Sequence, residues 1–220
     1  SNATAGFSIV GYTGTGSSMT IGHGLSQTPE LIIVKSRGRD PSYWVTGSSV
    51  SGMGFSADKY MYLNESNAVA TNSDWWNSAN PSASVFTVGT DNDINQDTET
   101  YIAYIFHSVP GYSKIGLYTG NGEANGTFVS TGFRPAFLMV KSMGDTGKWN
   151  MLDNKRNTYN VVTSTLRADL STAANTANNL VDFCSNGYKW RNVSWGEINS
   201  AYTYLYIAFA ESPFKYANAR

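Results

Sequence analysis

Short apolar or alternating runs, broken every ~8 to 12 residues by Gly, Pro or Asn, extend along the whole chain and predict strands, leaving little room for helix. Leu31-Ile32-Ile33-Val34 and Phe137-Leu138-Met139-Val140 are continuous apolar runs entered through proline. Such runs fit strands covered on both faces. Tyr101 to Phe106 and Tyr204 to Phe209 read the same way. Asn186-Gly187, between Val181-Asp182-Phe183-Cys184 and Tyr188-Lys189-Trp190, predicts a two-residue hairpin turn because this dipeptide accepts positive φ. Ser171 to Asn179 is rich in Ala and Asn without an apolar stripe and reads as a loop with at most one helical turn.

The runs recur. Tyr12-Thr13-Gly14-Thr15-Gly16 returns as Tyr118-Thr119-Gly120-Asn121-Gly122, and Pro29 to Ser36 returns as Pro135 to Ser142, both at an offset of 106. Tyr101 to Phe106 aligns with Tyr204 to Phe209, and Pro110 with Pro213, at an offset of 103. A fixed period redefines the domain count. The chain therefore reads as two homologous units, 5–110 and 111–220, meeting near Pro110-Gly111. Seven or so strands in about 105 residues suggest a β-sandwich for each unit, so the expected fold is all-β with two tandem lectin-like sandwiches.

Composition removes several functional classes. Of 220 residues, 41% are hydrophobic and 14% aromatic, enough to build a core. The 15 basic and 16 acidic residues leave a net charge of -1, so no sequence-wide field exists to hold a nucleic acid. One cysteine, Cys184, precludes an intrachain disulfide, and with only His23 and His107 it cannot complete a standard zinc site. No apolar run approaches the ~18 to 20 residues of a membrane helix, so membrane insertion is not expected. Ser1-Asn2-Ala3 reads as a cloning remnant and not as a signal peptide.

Gly111-Tyr112-Ser113-Lys114-Ile115-Gly116-Leu117-Tyr118-Thr119-Gly120-Asn121-Gly122, then Gly132-Phe133-Arg134-Pro135-Ala136-Phe137, Asp153-Asn154-Lys155-Arg156 and Phe209-Ala210-Glu211-Ser212-Pro213-Phe214-Lys215, resemble a repeat domain of unknown function found in tailed-phage virion proteins. The resemblance covers nearly the whole chain. It implies a lectin-type β-sandwich in a tail fibre or spike, a virion location and other virion proteins as partners, with homo-oligomers common. It carries over no catalytic residue. Gly47-Ser48-Ser49-Val50 replaces the Asp153 to Arg156 stretch in the first unit, so a role tied to Arg156 would belong to the second unit alone.

Candidate chemistry is sparse. Asp91, Asp93, Asn95 and Asp97 place oxygen side chains at every second position, the spacing of a calcium loop. The EF-hand pattern fails where Gln96 and Ile102 stand, and the alternative is an Asx-rich turn before the last strand. No other cofactor is expected. Trp75 and Trp76 in Asn72-Ser73-Asp74-Trp75-Trp76-Asn77-Ser78, and Trp195 in Ser194-Trp195-Gly196-Glu197, lie in polar, turn-like settings, so at least one ring of the pair is expected to face solvent. Indole faces stack on sugar C–H surfaces, which makes Trp75, Trp76 and Trp195, with Asp74 and Asn77 beside them, ligand-binding candidates. Packing beneath a long loop is the alternative. Trp44 and Trp149 read as core residues. Lys35 and Lys141, ending corresponding strands, read as solvated strand termini.

Enzymatic motifs are absent. Glycoside hydrolysis needs two carboxylates at defined separation, and Glu65, Asp74, Asp93, Asp153 and Glu197 form no recognisable pair in sequence. His23 sits between glycines in a turn with no nucleophile motif, and His107 reads as a surface or interface residue. The leading expectation is a non-enzymatic structural or host-attachment module. The alternative is a module that binds a host surface glycan or receptor through loop aromatics, and a glycan-cleaving enzyme comes third.

Overall fold

A computed structural model describes residues 1–192 and 197–212. The chain is all-β, with 43% strand and 5% helix. It divides into two compact units, Ser1–His107 and Ser108–Arg220. No helix among the described residues is long and apolar enough to cross a membrane.

The first unit contains β1 (Phe7–Thr13), β2 (Met19–Gly22), β3 (Leu31–Ser36), β4 (Trp44–Ser48), β5 (Lys59–Tyr62), β6 (Ala70–Thr71), β7 (Val85–Val88) and β8 (Thr100–Phe106). Six form an antiparallel sheet in the order β1-β8-β3-β4-β5-β6, while β2 pairs with β7. Tyr101, Ala103 and Ile105 alternate into a core shared with Ile32, Val34 and Val45. β3 is buried along nearly its whole length, as its unbroken apolar run requires. The connection from β6 to β7 carries α1 (Ser73–Trp76), and that from β7 to β8 carries α2 (Asn92–Asn95).

The second unit contains β9 (Ser113–Thr119), β10 (Phe128–Ser130), β11 (Pro135–Ser142), β12 (Asn150–Asp153), β13 (Val162–Arg167), β14 (Asn175–Cys184), β15 (Gly187–Trp190) and β16 (Thr203–Ala210). All eight join one sheet in the order β10-β15-β14-β13-β12-β11-β16-β9. Its edge strands meet: Thr127 Oγ1 donates to the Thr119 carbonyl at 2.8 Å, and Lys114 Nζ to that of Ser130 at 2.9 Å. The result is a nearly closed, barrel-like sheet around Leu138, Val140, Phe183, Tyr188, Trp190 and Tyr206. Closure of this kind protects strand edges that would otherwise offer unpaired backbone groups.

Local expectations fare unevenly. The β14–β15 hairpin forms with Cys184 opposite Gly187, so Ser185 and Asn186 make the two-residue connection and Gly187 opens the return strand. The supposed loop at Ser171 to Asn179 is partly strand, because β14 begins at Asn175 and its backbone pairs with β13. Ladder hydrogen bonding outweighs the weak strand propensity of Ala and Asn there. Lys141 is fully buried and donates to the Ser142 carbonyl at 2.8 Å, so it is not a solvated strand end. His107 is buried too, with its backbone N–H donating to the Gly6 carbonyl at 2.9 Å. Trp149 is buried, while Trp44 is half-buried and stacks on Tyr104 at 6.1 Å.

The repeated Tyr-Thr-Gly-x-Gly string has a structural job. The Tyr12 hydroxyl donates to the Ile94 carbonyl at 2.6 Å, and the Tyr118 hydroxyl to that of Ile198 at 2.5 Å. A Cβ at Gly14 would overlap the Gln96 carbonyl, and one at Gly120 that of Ser200, while Gly16 and Gly122 hold φ of +68° and +69°. The first glycine permits close approach and the second a left-handed turn. Beside each string lies a fully buried asparagine. Asn95 accepts from Thr15 N–H at 2.9 Å and donates to the Ser17 and Gly89 carbonyls at 2.7 and 2.6 Å. Asn199 donates to the Glu123 carbonyl at 3.0 Å and to that of Asn192 at 3.3 Å.

Candidate functional site

The two tryptophans of the α1 segment point inward. Asn72 caps α1 by accepting from Asp74 N–H, and Asn77 ends it in the left-handed conformation that asparagine tolerates. Within that single turn Trp75 and Trp76 both reach the core of the first unit. Trp76 is completely buried, donates from Nε1 to the Lys59 carbonyl at 3.0 Å and meets Phe55 edge-on at 4.9 Å. The space for it exists because residue 47 is glycine: a Cβ there would overlap the Phe55 and Trp76 rings. The expectation of a solvent-facing ring in this pair is therefore corrected. Burial of some 200 Å² of indole outweighs the polar setting of the surrounding sequence. Asp74 and Asn77 remain exposed, and Trp195 lies outside the described residues.

Trp75 nevertheless underlies a site. Its ring packs on Tyr60 at 4.9 Å and on Tyr62 at 5.9 Å, and Tyr62 stacks on Tyr43 at 4.0 Å with 21° between planes. Burial falls off along this series, from Trp75 at 2% exposure to Tyr43 at 40%. Tyr60 and Tyr62 alternate with buried Met61 on β5, which puts both tyrosines on one face of the strand. Among the described residues the buried Trp75 indole N–H has no acceptor. Burial and the hydrogen bond with Tyr60 push the Tyr62 hydroxyl pKa far above its usual value, so it stays protonated.

Acidic groups adjoin the rings. The Thr90 and Asp91 N–H groups donate to the Asp74 carbonyl at 2.9 Å, tying the start of α2 to α1. Asp91 caps α2 by accepting from Asp93 N–H at 2.8 Å. Burial first, with the nearby Asp93 and Asp74 charges added, raises the Asp91 carboxyl pKa, and its charge in turn acts on Tyr62. Asp93 pairs with Arg39 at 3.1 Å. The turn carrying Arg39 is fixed by Glu99, which accepts from Gly38 N–H at 2.8 Å and from the Ser36 hydroxyl at 3.1 Å. Those bonds, the Gly38 N–H above all, lower the Glu99 pKa.

The four calcium candidates are thus divided among other tasks. Asp91 caps a helix, Asp93 is ion-paired, Asn95 spends its amide on backbone groups, and Asp97 is exposed. Among the described residues, no group of three or more His, Cys, Asp and Glu side chains is placed to hold a metal ion. His23 is buried, its Nδ1 accepting from Leu25 N–H and its Nε2 lying 3.2 Å from the Ser82 carbonyl. It stabilises a turn, and burial lowers its pKa.

Sequence reasoning brought Asp74, Asp91 and Asp93 into view but missed Arg39, Tyr43, Tyr60 and Tyr62. The Tyr60-Met61-Tyr62 alternation was the available signal.

Among known proteins, no curated sequence matches the chain. The solved structure of the STIV MCP aligns at 9% sequence identity over 92% of this chain and 85% of that one, with a TM-score of 0.22, a likeness too slight to bear on fold or function. A family model described as a domain of unknown function, DUF7483, matches residues 1–213, and the chain belongs to that family.

Proposed function

We propose that the chain is a non-catalytic attachment module that engages surface glycans through the tyrosine-lined end of residues 1–107. The observation that carries this reading is Tyr43, 40% exposed and held flat on Tyr62, whose own support is the buried Trp75. A tyrosine already immobilised by stacking offers a sugar ring an apolar face at little entropic cost. Asp91, whose charge acts on Tyr62, and the Asp93–Arg39 pair next to Asp91 would supply hydroxyl-binding groups at this end. A hydrolytic role has less support: Asp91 and Asp93 lie two residues apart on one helical turn, one capping and one ion-paired. The reading sets the module in a phage tail fibre or spike. The resemblance of its motifs to virion repeat domains favours that context.

The same reading takes the two units as tandem copies, each a flattened barrel equivalent to a lectin-like sandwich. Matching strand order supports it, since β1-β8-β3-β4-β5-β6 corresponds one for one to β9-β16-β11-β12-β13-β14. On that correspondence Tyr62, opposite Val45, becomes Arg167, opposite Asn150. Arg167 pairs with Glu197 at 3.0 Å, so the aromatic end belongs to the first unit alone.

The test is a glycan array followed by titration of the best ligand against Tyr43→Ala and Arg167→Ala. Loss of ~1 to 2 kcal/mol on removing Tyr43, with Arg167→Ala near wild type, is expected. Binding that ignores Tyr43 would overturn the proposal, and reducing-sugar release dependent on Asp91 would replace it with an enzymatic one.

A further inference from the structure

Charge around the aromatic end narrows the ligand, on the reading that this end binds saccharide. Three carboxylates, Asp74, Asp91 and Asp93, are brought together where backbone hydrogen bonds tie the start of α2 to α1, the turn that carries Trp75, against one guanidinium, Arg39, which Asp93 already engages at 3.1 Å. Among the described residues, neither Asp74 nor Asp91 forms an ion pair. Asp91 is half-buried between α2 and the tyrosines, where an uncompensated charge is costly. Tyr43, exposed and backed by Tyr62, presents a π-face, which attracts cations as well as sugar C–H groups. A uronic or sialic acid would bring a like charge to Asp91 and Asp74. A hexosamine with a free ammonium group would bring the missing counter-charge.

We propose that this site prefers saccharides bearing a free amino group, with Tyr43 as the stacking face and Asp91 as the ammonium partner. The raised Asp91 pKa is consistent with it: a bound cation favours the carboxylate, so affinity rises with pH as Asp91 ionises and levels off once ionisation is complete. Asp74, Asp93, Arg39 and Tyr62 are the other groups whose charge or polarity bears on that titration.

The experiment titrates the whole chain with four soluble oligosaccharide series: glucosamine oligomers, their N-acetylated forms, glucose oligomers and galacturonate oligomers. Glucosamine oligomers are expected to bind about fivefold more tightly than glucose oligomers, the increment of one partly screened ion pair, and that increment is expected to disappear in high salt. Asp91→Asn keeps an oxygen for the cap and should bring the glucosamine-to-glucose ratio close to one. Tyr43→Ala should weaken both series. Galacturonate binding as tight as glucosamine, or a ratio untouched by Asp91→Asn, overturns the amino-sugar preference while leaving a glycan site in place. No Tyr43-dependent binding of any series overturns both.

Discussion

Single residues here are chosen for what they touch across long stretches of chain. Asn95 is the clearest case, with three hydrogen bonds from one fully buried side chain to the β1–β2 turn and the end of β7. Asn95→Ala strands Thr15 N–H and two carbonyls, and we expect it to cost roughly 3 kcal/mol or more, read as a shift of the urea midpoint. Lys141 makes the opposite contribution. Burial lowers its pKa from 10.5 to about 8, so between those values the unfolded chain holds more protons than the folded one. Stability therefore rises with pH across that window, by up to about 1.4 kcal/mol per unit. Above pH ~10 the trend reverses, because Tyr12, Tyr118 and Tyr188 have pKa values raised by burial and ionise first in the unfolded chain. Denaturation midpoints from pH 7 to 11 should trace this maximum, and Lys141→Met should remove the rising limb while stabilising the protein at pH 7. A flat profile in the wild type would contradict the burial argument.

At the level of elements, the two units differ in what joins their strands. In the second unit β14 and β15 form a hairpin, whereas β6 and β7 of the first do not pair, and α1 between them delivers Trp75 and Trp76 to the core. Two substitutions probe the packing that α1 makes. Trp76→Ala empties a site that Phe55, Gly47 and the Lys59 carbonyl enclose and should cost about 3 to 5 kcal/mol. Gly47→Val drives a side chain into the same rings and should cost at least 1 to 3 kcal/mol by overpacking. Tyr43→Ala, at the exposed end of the same aromatic series, should shift stability by well under half the Trp76 value while weakening binding at the proposed glycan site by ~1 to 2 kcal/mol. Calorimetry and titration on one set of variants separate core from site.

Across the whole molecule each unit has its own buried cluster, one gathering Ile32, Val34, Trp76 and Ile105, the other Leu138, Val140, Trp190 and Tyr206. Amide exchange should register this. Trp76→Ala is expected to accelerate exchange at Ile32 and Ile105 by several hundredfold while Leu138 and Tyr206 keep their protection to within a few-fold. Equal acceleration in both units would mean that they unfold as one. Much of this organisation is legible along the chain. Period-two runs fix the all-β class, the proline-entered run gives β3 with both faces covered, and Asn-Gly marks the β14–β15 hairpin, because alternation and turn chemistry are local properties of the backbone. The paired Tyr-Thr-Gly-x-Gly strings mark two turns in which the first glycine has no room for a Cβ and the second holds a positive φ. What local pattern could not decide is which way a side chain in a polar turn points. Trp75 and Trp76 sit in Asn72 to Ser78, surrounded by Ser, Asp and Asn, and only a vacancy above Gly47, some thirty residues earlier, turns them inward. Lys141 ends an apolar run like Lys35, yet tertiary packing buries it. The Tyr43–Tyr62–Trp75 series likewise joins β4's approach, β5 and α1, segments whose proximity depends on the sheet's pairing and on no single spacing in the sequence. Sequence determined where this chain is strand and where it turns, because those choices are made within a few residues. The tertiary structure alone decided which aromatics are core and which form a surface, because burial is settled by neighbours that are distant along the chain.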